Sequence, residues 1–266
     1  MSDTTNKMRN QITILLVLLS ACGGQTEKKS PSLTNILTDE NTKSKNSTEF
    51  NWIGTVNNKI PVFIHYLLHD KLIIGEITYL NTKDKSSIKL LGTIEADKSY
   101  RLLEFLPDGN ITGIITGKPE KQIFSGEWFS PKTRKEFQLN LKTKDTTLGT
   151  SEILPISNEI FGNYHYQYSE DGYQGDFEIN KLNDNKIAFS IFSVTGAPGH
   201  NIAEVPTDTI QMNGNNFVYK IPETDSCEFR VTFYKDFLTV AYTKGYCAGQ
   251  FGWNATIDGI FLKVKK

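Results

Sequence analysis

Hydrophobic and polar residues alternate with a period of two in many short stretches of the chain beyond residue 50. The clearest stretches carry an apolar residue at every second position: Phe137, Leu139 and Leu141; Ile187, Phe189 and Ile191; Phe217, Tyr219 and Ile221; Phe229, Val231 and Phe233. This alternation is typical of antiparallel strands that bury one face and expose the other.

Short clusters of turn-forming residues separate these stretches: Asp108-Gly109-Asn110, Asn183-Asp184-Asn185, Asn213-Gly214-Asn215 and Lys235-Asp236. They recur at spacings that suit hairpins. No long stretch combines the 3.6-residue period of a helix with capping residues. We therefore predict an all-β protein built from antiparallel β-sandwich or up-and-down barrel-like domains.

Two changes of composition divide the chain. Residues 22–48 are rich in Gly, Ser, Thr, Asn, Lys and Glu, and carry too few apolar groups to offset the entropy of ordering. We interpret them as a disordered, flexible tether. Residues 142–158 are also polar and lack alternation, which indicates a connector between a first β domain at 49–141 and a second at 159–266.

The first 21 residues have the layout of a secretory signal peptide. Lys7 and Arg9 form a positive region, residues 12–19 are apolar except for Thr13, and two small residues follow. A helix that spans a bilayer needs about 20 apolar residues. The apolar run is less than half that length, so we predict a cleaved signal peptide at 1–21.

The residues Leu19-Ser20-Ala21-Cys22 resemble the lipobox of bacterial lipoproteins. This resemblance implies cleavage before Cys22, a diacylglycerol on its thiol and usually an acyl group on its new amine. Two or more acyl chains hold a protein stably on a membrane. Gly23 stands where Asp would favour the inner membrane, so the family rule favours the outer membrane of the cell envelope. The alternative is an ordinary secretory signal with an incidental cysteine.

Cys227 and Cys247 remain once Cys22 is assigned to lipid. In an exported domain such an even pair predicts a disulfide. The alternative, two free or metal-binding thiols, lacks further Cys or His at ligand spacing. Closing a loop of about 20 residues stabilises a domain by about 3 kcal/mol in the chain-entropy description.

The charge balance and the histidines exclude several classes of function. The chain has 29 Lys and Arg against 30 Asp and Glu, without the basic patch that nucleic acid requires. His65 and His69 lie on a predicted strand, where residues four apart are about 13 Å apart, too far to share a metal. We therefore expect no nucleic acid, no metal and no cofactor.

Two places carry candidate binding residues. Tyr164, Tyr166 and Tyr168 would form one stripe on a strand, either stacking on a sugar ring or packing into the core with their phenol groups at the rim. His200 lies in a Gly- and Pro-rich loop, where function tends to gather, but no nucleophile motif accompanies it. Glu170 and Asp171 are adjacent and point apart on a strand, so we expect no catalytic pair.

Both halves resemble small β domains of uncharacterised exported bacterial proteins, a resemblance that implies no activity. The residues that carry it are Cys227-Glu228-Phe229, Cys247, Phe251-Gly252 and Asp258-Gly259-Ile260-Phe261 in the second half, and Ile60-Pro61-Val62, 75–79, Glu104 and Gly126-Glu127-Trp128 in the first. Membrane-anchored lysozyme inhibitors are similar in size and class, with the motif Ser-Gly-x-x-Tyr. The nearest match here runs from Ser125 to Phe129, with Phe in place of Tyr.

We therefore hypothesise a non-enzymatic, lipid-anchored envelope protein with a binding or structural role. Its partners would be the membrane, through the lipid on Cys22, and an envelope protein or glycan. An inhibitor of a secreted hydrolase such as lysozyme is the alternative. An envelope hydrolase is a third hypothesis, and it requires convergent ionisable groups.

Replacement of Cys22 by Ser should abolish membrane association, because the lipid that the lipobox implies would have no thiol to carry it. The measurement is sedimentation of the chain with membranes after a salt wash. The control is Cys227→Ser with Cys247→Ser, which leaves the lipid in place. A Cys22→Ser chain that still sediments with membranes would show that another element holds it there.

Overall fold

The computed structural model describes residues 47–149, 160–183, 185–224, 227–245, 247 and 249–265. The predicted signal peptide, Cys22, most of the predicted tether and residues 150–158 of the predicted connector lie outside these ranges. Within them the chain forms sixteen strands. The described residues contain no helix long and apolar enough to cross a bilayer.

The first eight strands form a closed barrel in which each strand pairs with the next and the last pairs with the first. They are β1 Ser47–Val56, β2 Ile60–His69, β3 Leu72–Tyr79, β4 Ser87–Ile94, β5 Tyr100–Phe105, β6 Ile111–Glu120, β7 Ile123–Ser130 and β8 Lys135–Gly149. His65 and His69 therefore lie on a strand, as predicted.

The closure of the barrel corrects one predicted boundary. Residues 142–149, interpreted above as the start of the connector, form the second half of β8 and pair with β1, from Lys142 opposite Ile53 to Gly149 opposite Ser47. Backbone hydrogen bonds hold this polar segment as a strand. Such pairing requires no alternating apolar residues, so this strand could not be recognised from the hydrophobic pattern.

The last eight strands form a second antiparallel sheet in the order β12-β11-β10-β9-β16-β15-β14-β13. They are β9 Gly162–Gln167, β10 Gln174–Lys181, β11 Lys186–Val194, β12 Ile202–Gln211, β13 Asn216–Lys220, β14 Glu228–Phe233, β15 Phe237–Lys244 and β16 Gly259–Val264. The sheet is an up-and-down meander that closes between β9 and β16 and stays open between β12 and β13. The all-β, barrel-like prediction is confirmed.

Aromatic and aliphatic side chains fill the barrel. The indole N–H of Trp52 donates to the hydroxyl of Tyr66 at 3.2 Å, and Trp52 also meets the ring of Phe124 edge to face. The space left among these rings, Leu102 and Leu141 is only ≈ 10 Å³. This is about the volume that one water needs, so that part of the interior is packed core and not a ligand cavity.

The second sheet buries an aromatic core on its concave side. Phe177 contacts Tyr164, Phe189, Phe233 and Phe261 with ring centroids 6.0–6.3 Å apart. Every second residue of β11 and β14 belongs to this core, as the alternation predicted. Aromatic pairs at such distances add to the stabilisation from burial alone.

The two sheets pack against each other through strands that are buried on both faces. In β5, Leu102 points into the barrel, whereas Leu103 and Phe105 belong to the same hydrophobic cluster as the core of the second sheet. Leu91 of β4 and Leu72 of β3 join this cluster from the outer face of the barrel. The outer face of the barrel therefore contributes to the core of the second sheet, whereas the barrel interior forms a separate hydrophobic cluster.

The turn between β5 and β6 contacts the second sheet directly. The amide N–H of Gln167 donates to the carbonyl of Gly109 at 3.1 Å. Gly109 has a φ of 89°, and a Cβ there would lie 2.9 Å from the carbonyl oxygen of His165, so only glycine fits this close approach. The imidazole of His165 is itself held by Asp176, with 2.8 Å between Nδ1 and Oδ1.

A disulfide joins Cys227 and Cys247, with 4.5 Å between their Cα atoms, and confirms the predicted pairing. Cys227 comes directly before β14, and Cys247 follows β15. The bridge therefore fixes the start of the loop that leads from β15 to β16.

Candidate functional site

A cleft separates the outer face of the barrel from one end of the second sheet. It consists of two adjoining cavities of ≈ 680 Å³ and ≈ 640 Å³. Both are lined by Arg101, Tyr168, Asp258, Gly259 and Ile260, so they lie side by side along the cleft. A cavity of this size suits a drug-sized molecule.

The floor of the larger cavity is apolar. Ile114 of β6 and Phe129 of β7 face each other as a cross-strand pair on the outside of the barrel. Pro131 follows β7, and Ile260 and Tyr166 complete the floor from the second sheet. These groups offer a surface on which a ligand could bury apolar area.

Two arginines stand on the barrel side of the cleft. Arg101 lies in β5 between Thr93 and Thr116, both uncharged. Arg134 lies in the turn between β7 and β8, where its N–H donates to the carbonyl of Ser130 at 2.8 Å and its φ is 55°. In the described ranges neither guanidinium forms an ion pair with a carboxylate.

Loops of the second sheet form the opposite wall. The segment 168–173 contributes Tyr168, Ser169, Asp171 and Tyr173, and the amide of Ala197 donates to the carbonyl of Asp171 at 3.0 Å. Thr256 and Asp258, which come just before β16, belong to the same wall, and the Thr256 hydroxyl donates to the Asp258 carboxylate. This wall is polar and carries negative charge.

The candidate binding residues of the sequence analysis, the three tyrosines at 164–168 and His200, do not form one surface in the structure. Tyr164 and Tyr166 are buried and point into the second core, and the hydroxyl of Tyr164 donates to the carbonyl of Ile160 at 2.6 Å. Burial raises the pKa of Tyr164. Tyr166 and Tyr168 also line the cleft, but His200 is exposed on its loop and lines neither cavity.

A buried carboxyl group lies inside the barrel. Glu104 of β5 is 1% exposed, and it accepts hydrogen bonds from the Trp128 indole N–H at 2.7 Å and the Tyr79 hydroxyl at 2.8 Å, both on Oε1. The Thr112 hydroxyl reaches its other oxygen at 3.4 Å. Gly113 provides the room, because a Cβ there would lie 2.5 Å from Glu104 Oε2 and from Trp128 Nε1.

Burial raises the pKa of Glu104 above its ordinary value of 4.5, although the donated hydrogen bonds oppose the shift. No cation pairs with this carboxyl group among the described residues. Compared with an exposed glutamate, Glu104 therefore holds its proton to a higher pH. Glu104 lines neither cavity of the cleft, so its role is in the barrel.

Sequence reasoning missed the two arginines and gave Glu104 no role. A signal for Glu104 was present, since it is the one charged residue in Leu102-Leu103-Glu104-Phe105-Leu106. Arg101 and Arg134 are conspicuous because arginine occurs only four times in the chain, at 9, 101, 134 and 230. Their common position in one cleft depends on the packing of the barrel. The described residues contain no group of three or more His, Cys, Asp or Glu suited to a metal ion.

Replacement of Glu104 by Gln should stabilise the protein at high pH. The variant keeps an oxygen for Tyr79 and Trp128 and removes the buried ionisation. Because the folded pKa is raised, the contribution of wild-type Glu104 to stability is complete below pH about 4.5 and is lost as the pH rises through the folded pKa. We expect equal urea stability of the two proteins near pH 4 and a more stable Gln variant at pH 8.

The matched variant is Glu104→Leu, which leaves the donors of Tyr79 and Trp128 without an acceptor. It should lower the free energy of unfolding at both pH values, by about 1–3 kcal/mol for each unpaired donor. A Gln variant less stable than wild type at pH 8 would mean that the ionised carboxylate is the form the barrel requires.

No protein-family model, curated protein or solved structure matches this chain.

Proposed function

We propose that this protein is a lipid-anchored lipoprotein of the bacterial cell envelope that binds a small molecule in the cleft without a chemical step. The observation that carries the proposal is the cleft itself, a concave space of ≈ 680 Å³ with an apolar floor and a few polar groups. Ligand sites in proteins have this construction.

Side chains fill the interiors of both sheets, which favours the cleft as the place where a ligand binds. The barrel retains only ≈ 10 Å³ among its central rings, and Phe177 and its neighbours fill the second core. A further depression of ≈ 710 Å³ on the outside of β6–β8 is lined by Glu127 and Glu136. The hydrogen bond and charge of Glu127 raise the pKa of Glu136, so this surface is polar and repulsive to anions.

The cellular location in this proposal rests on the N-terminal residues. The apolar run and Leu19-Ser20-Ala21-Cys22 support export and lipidation. The Cys227–Cys247 disulfide supports an oxidising compartment, since disulfides persist outside the cytosol. A lipid on Cys22 would keep the binding domain close to a membrane.

Blocking the cleft with a large side chain should remove the bound molecule. Ile114→Trp fills the floor, and Val218→Trp, at an exposed position of β13, is the matched control. The full chain carrying Cys22→Ser would be purified from the cell envelope, and molecules released on denaturation identified by mass spectrometry. We expect at least tenfold less of a specific molecule from Ile114→Trp and unchanged recovery from Val218→Trp. Equal recovery from both variants would contradict binding in the cleft.

A second candidate function, inhibition of a secreted hydrolase, is favoured by one exposed loop. Trp253, between β15 and β16, is 80% exposed. The loop begins at the disulfide, and the amide of Gly252 donates to the carbonyl of Ile202 at 2.9 Å. Exposed tryptophans on rigid supports often dominate protein interfaces. Ser125–Phe129, the inhibitor-like motif, lies in β7 and does not form a protruding loop.

Inhibition would depend on Trp253. In a lysozyme activity assay with the Cys22→Ser chain, Trp253→Ala should weaken inhibition about 30-fold, the equivalent of about 2 kcal/mol for an interface anchor. Phe192→Ala, which removes another exposed aromatic side chain from β11, should leave inhibition unchanged. Absence of inhibition by the parent chain would rule out lysozyme as the target.

A further inference from the structure

We infer that the ligand of the cleft is an amphiphile whose acidic group binds Arg101 and Arg134 while its apolar body covers Ile114, Phe129 and Ile260. The inference rests on the proposed function and names the chemical class of its ligand. The acidic group is a carboxylate, sulfonate or phosphate, which share the geometry that a guanidinium recognises.

The distribution of arginine supports this assignment. The chain uses arginine four times among 29 basic residues, and only three arginines lie beyond Cys22. Two of these three line the same cavity, although they are 33 positions apart on different parts of the barrel. Surface charge alone does not require arginine over lysine, whereas planar recognition of an acidic group does.

The backbone holds both arginines at the cleft, and neither side chain is neutralised by a carboxylate of the described residues. The backbone of Arg134 is fixed in a left-handed conformation by the hydrogen bond from its N–H to Ser130. Arg101 lies within β5, flanked across the sheet by Thr93 and Thr116. Because neither guanidinium has a carboxylate partner in the described ranges, both are available to an anionic ligand.

The opposite wall gives the ligand a direction. Asp171 and Asp258 line that wall, and neither forms an ion pair with an arginine across the cleft. Their negative charge disfavours an acidic group on the side of the second sheet, and the arginines favour it on the barrel side. The apolar part of the ligand then lies over the cross-strand pair of Ile114 and Phe129.

Two fluorescent probes that share one skeleton test the inference. 8-Anilinonaphthalene-1-sulfonate carries an acidic group, and N-phenyl-1-naphthylamine has the same ring system without it. Titrations would use the full chain with Cys22→Ser. Arg101→Gln with Arg134→Gln should raise the Kd of the sulfonate probe at least tenfold and change that of the neutral probe less than twofold. Arg230→Gln, on β14 outside the cleft, is the control and should change neither Kd.

The possible results distinguish the binding of an acidic ligand from the binding of any ligand in the cleft. Arginine-dependent binding of the sulfonate, weakened by salt as charge pairing requires, supports the inference. Binding of both probes with affinities that the arginine substitutions do not change overturns the acidic ligand and leaves a cleft that binds apolar molecules. Binding of neither probe to the parent chain overturns both. Arg134→Gln alone, at an exposed turn, gives the same comparison if the double variant does not fold.

Discussion

Strand β5 is buried on both faces, and the position of the second sheet depends on that double burial. Leu103 and Phe105 point out of the barrel, at 6% and 1% exposure, and enter the core of the second sheet. Full burial of such side chains contributes about 1.5–3 kcal/mol each. Arg101 lies on the same outward face, two residues before Leu103. Leu103 therefore lies at the border between the packed interface and the smaller cavity of the cleft, and Arg101 lines both cavities.

The packing of the barrel explains why the proposed ligand site lies outside it. Small up-and-down barrels can enclose a ligand or fill with side chains, and here Trp52, Tyr66 and Phe124 occupy the space. A filled barrel gives a rigid outer surface. The cross-strand pair of Ile114 and Phe129 is presented on that surface, and the loops of the second sheet cover it from one side.

The strands that the sequence predicted are those with one buried face. Phe229, Val231 and Phe233 alternate with exposed or partly exposed residues, and all three are buried. In β4 and β5 both faces are buried, so Leu90-Leu91 and Leu102-Leu103 interrupt the period-two pattern. The second half of β8 was missed for a different reason. Its pairing with β1 depends on the backbone, and Leu148 is the single large apolar residue among 142–149.

Most residues of the candidate site could not be identified from the local sequence pattern. Tyr166 and Tyr168 were identified from their spacing, and both contribute to the cleft, but alternation could not distinguish a core position from a cavity wall. Arg101 and Arg134 come together only when the barrel closes and the second sheet covers its outer face. Barrel closure and the packing of the second sheet both depend on contacts between residues far apart in the chain. The few residues around either arginine therefore do not predict them.

Glu104 links the interior of the barrel to the cleft. Its carboxyl group receives donors from Tyr79 on β3 and Trp128 on β7, so three strands converge on one buried group. Trp128 points inward to Glu104, and Phe129, the next residue, points outward to the floor of the cleft. Glu104 likewise shares β5 with Arg101. The polar contact inside the barrel thus fixes β7 relative to β5, and with it the distance between the apolar floor and the arginine beside it. A buried polar group is costly to leave unpaired, and this cost makes the alignment of the two strands specific.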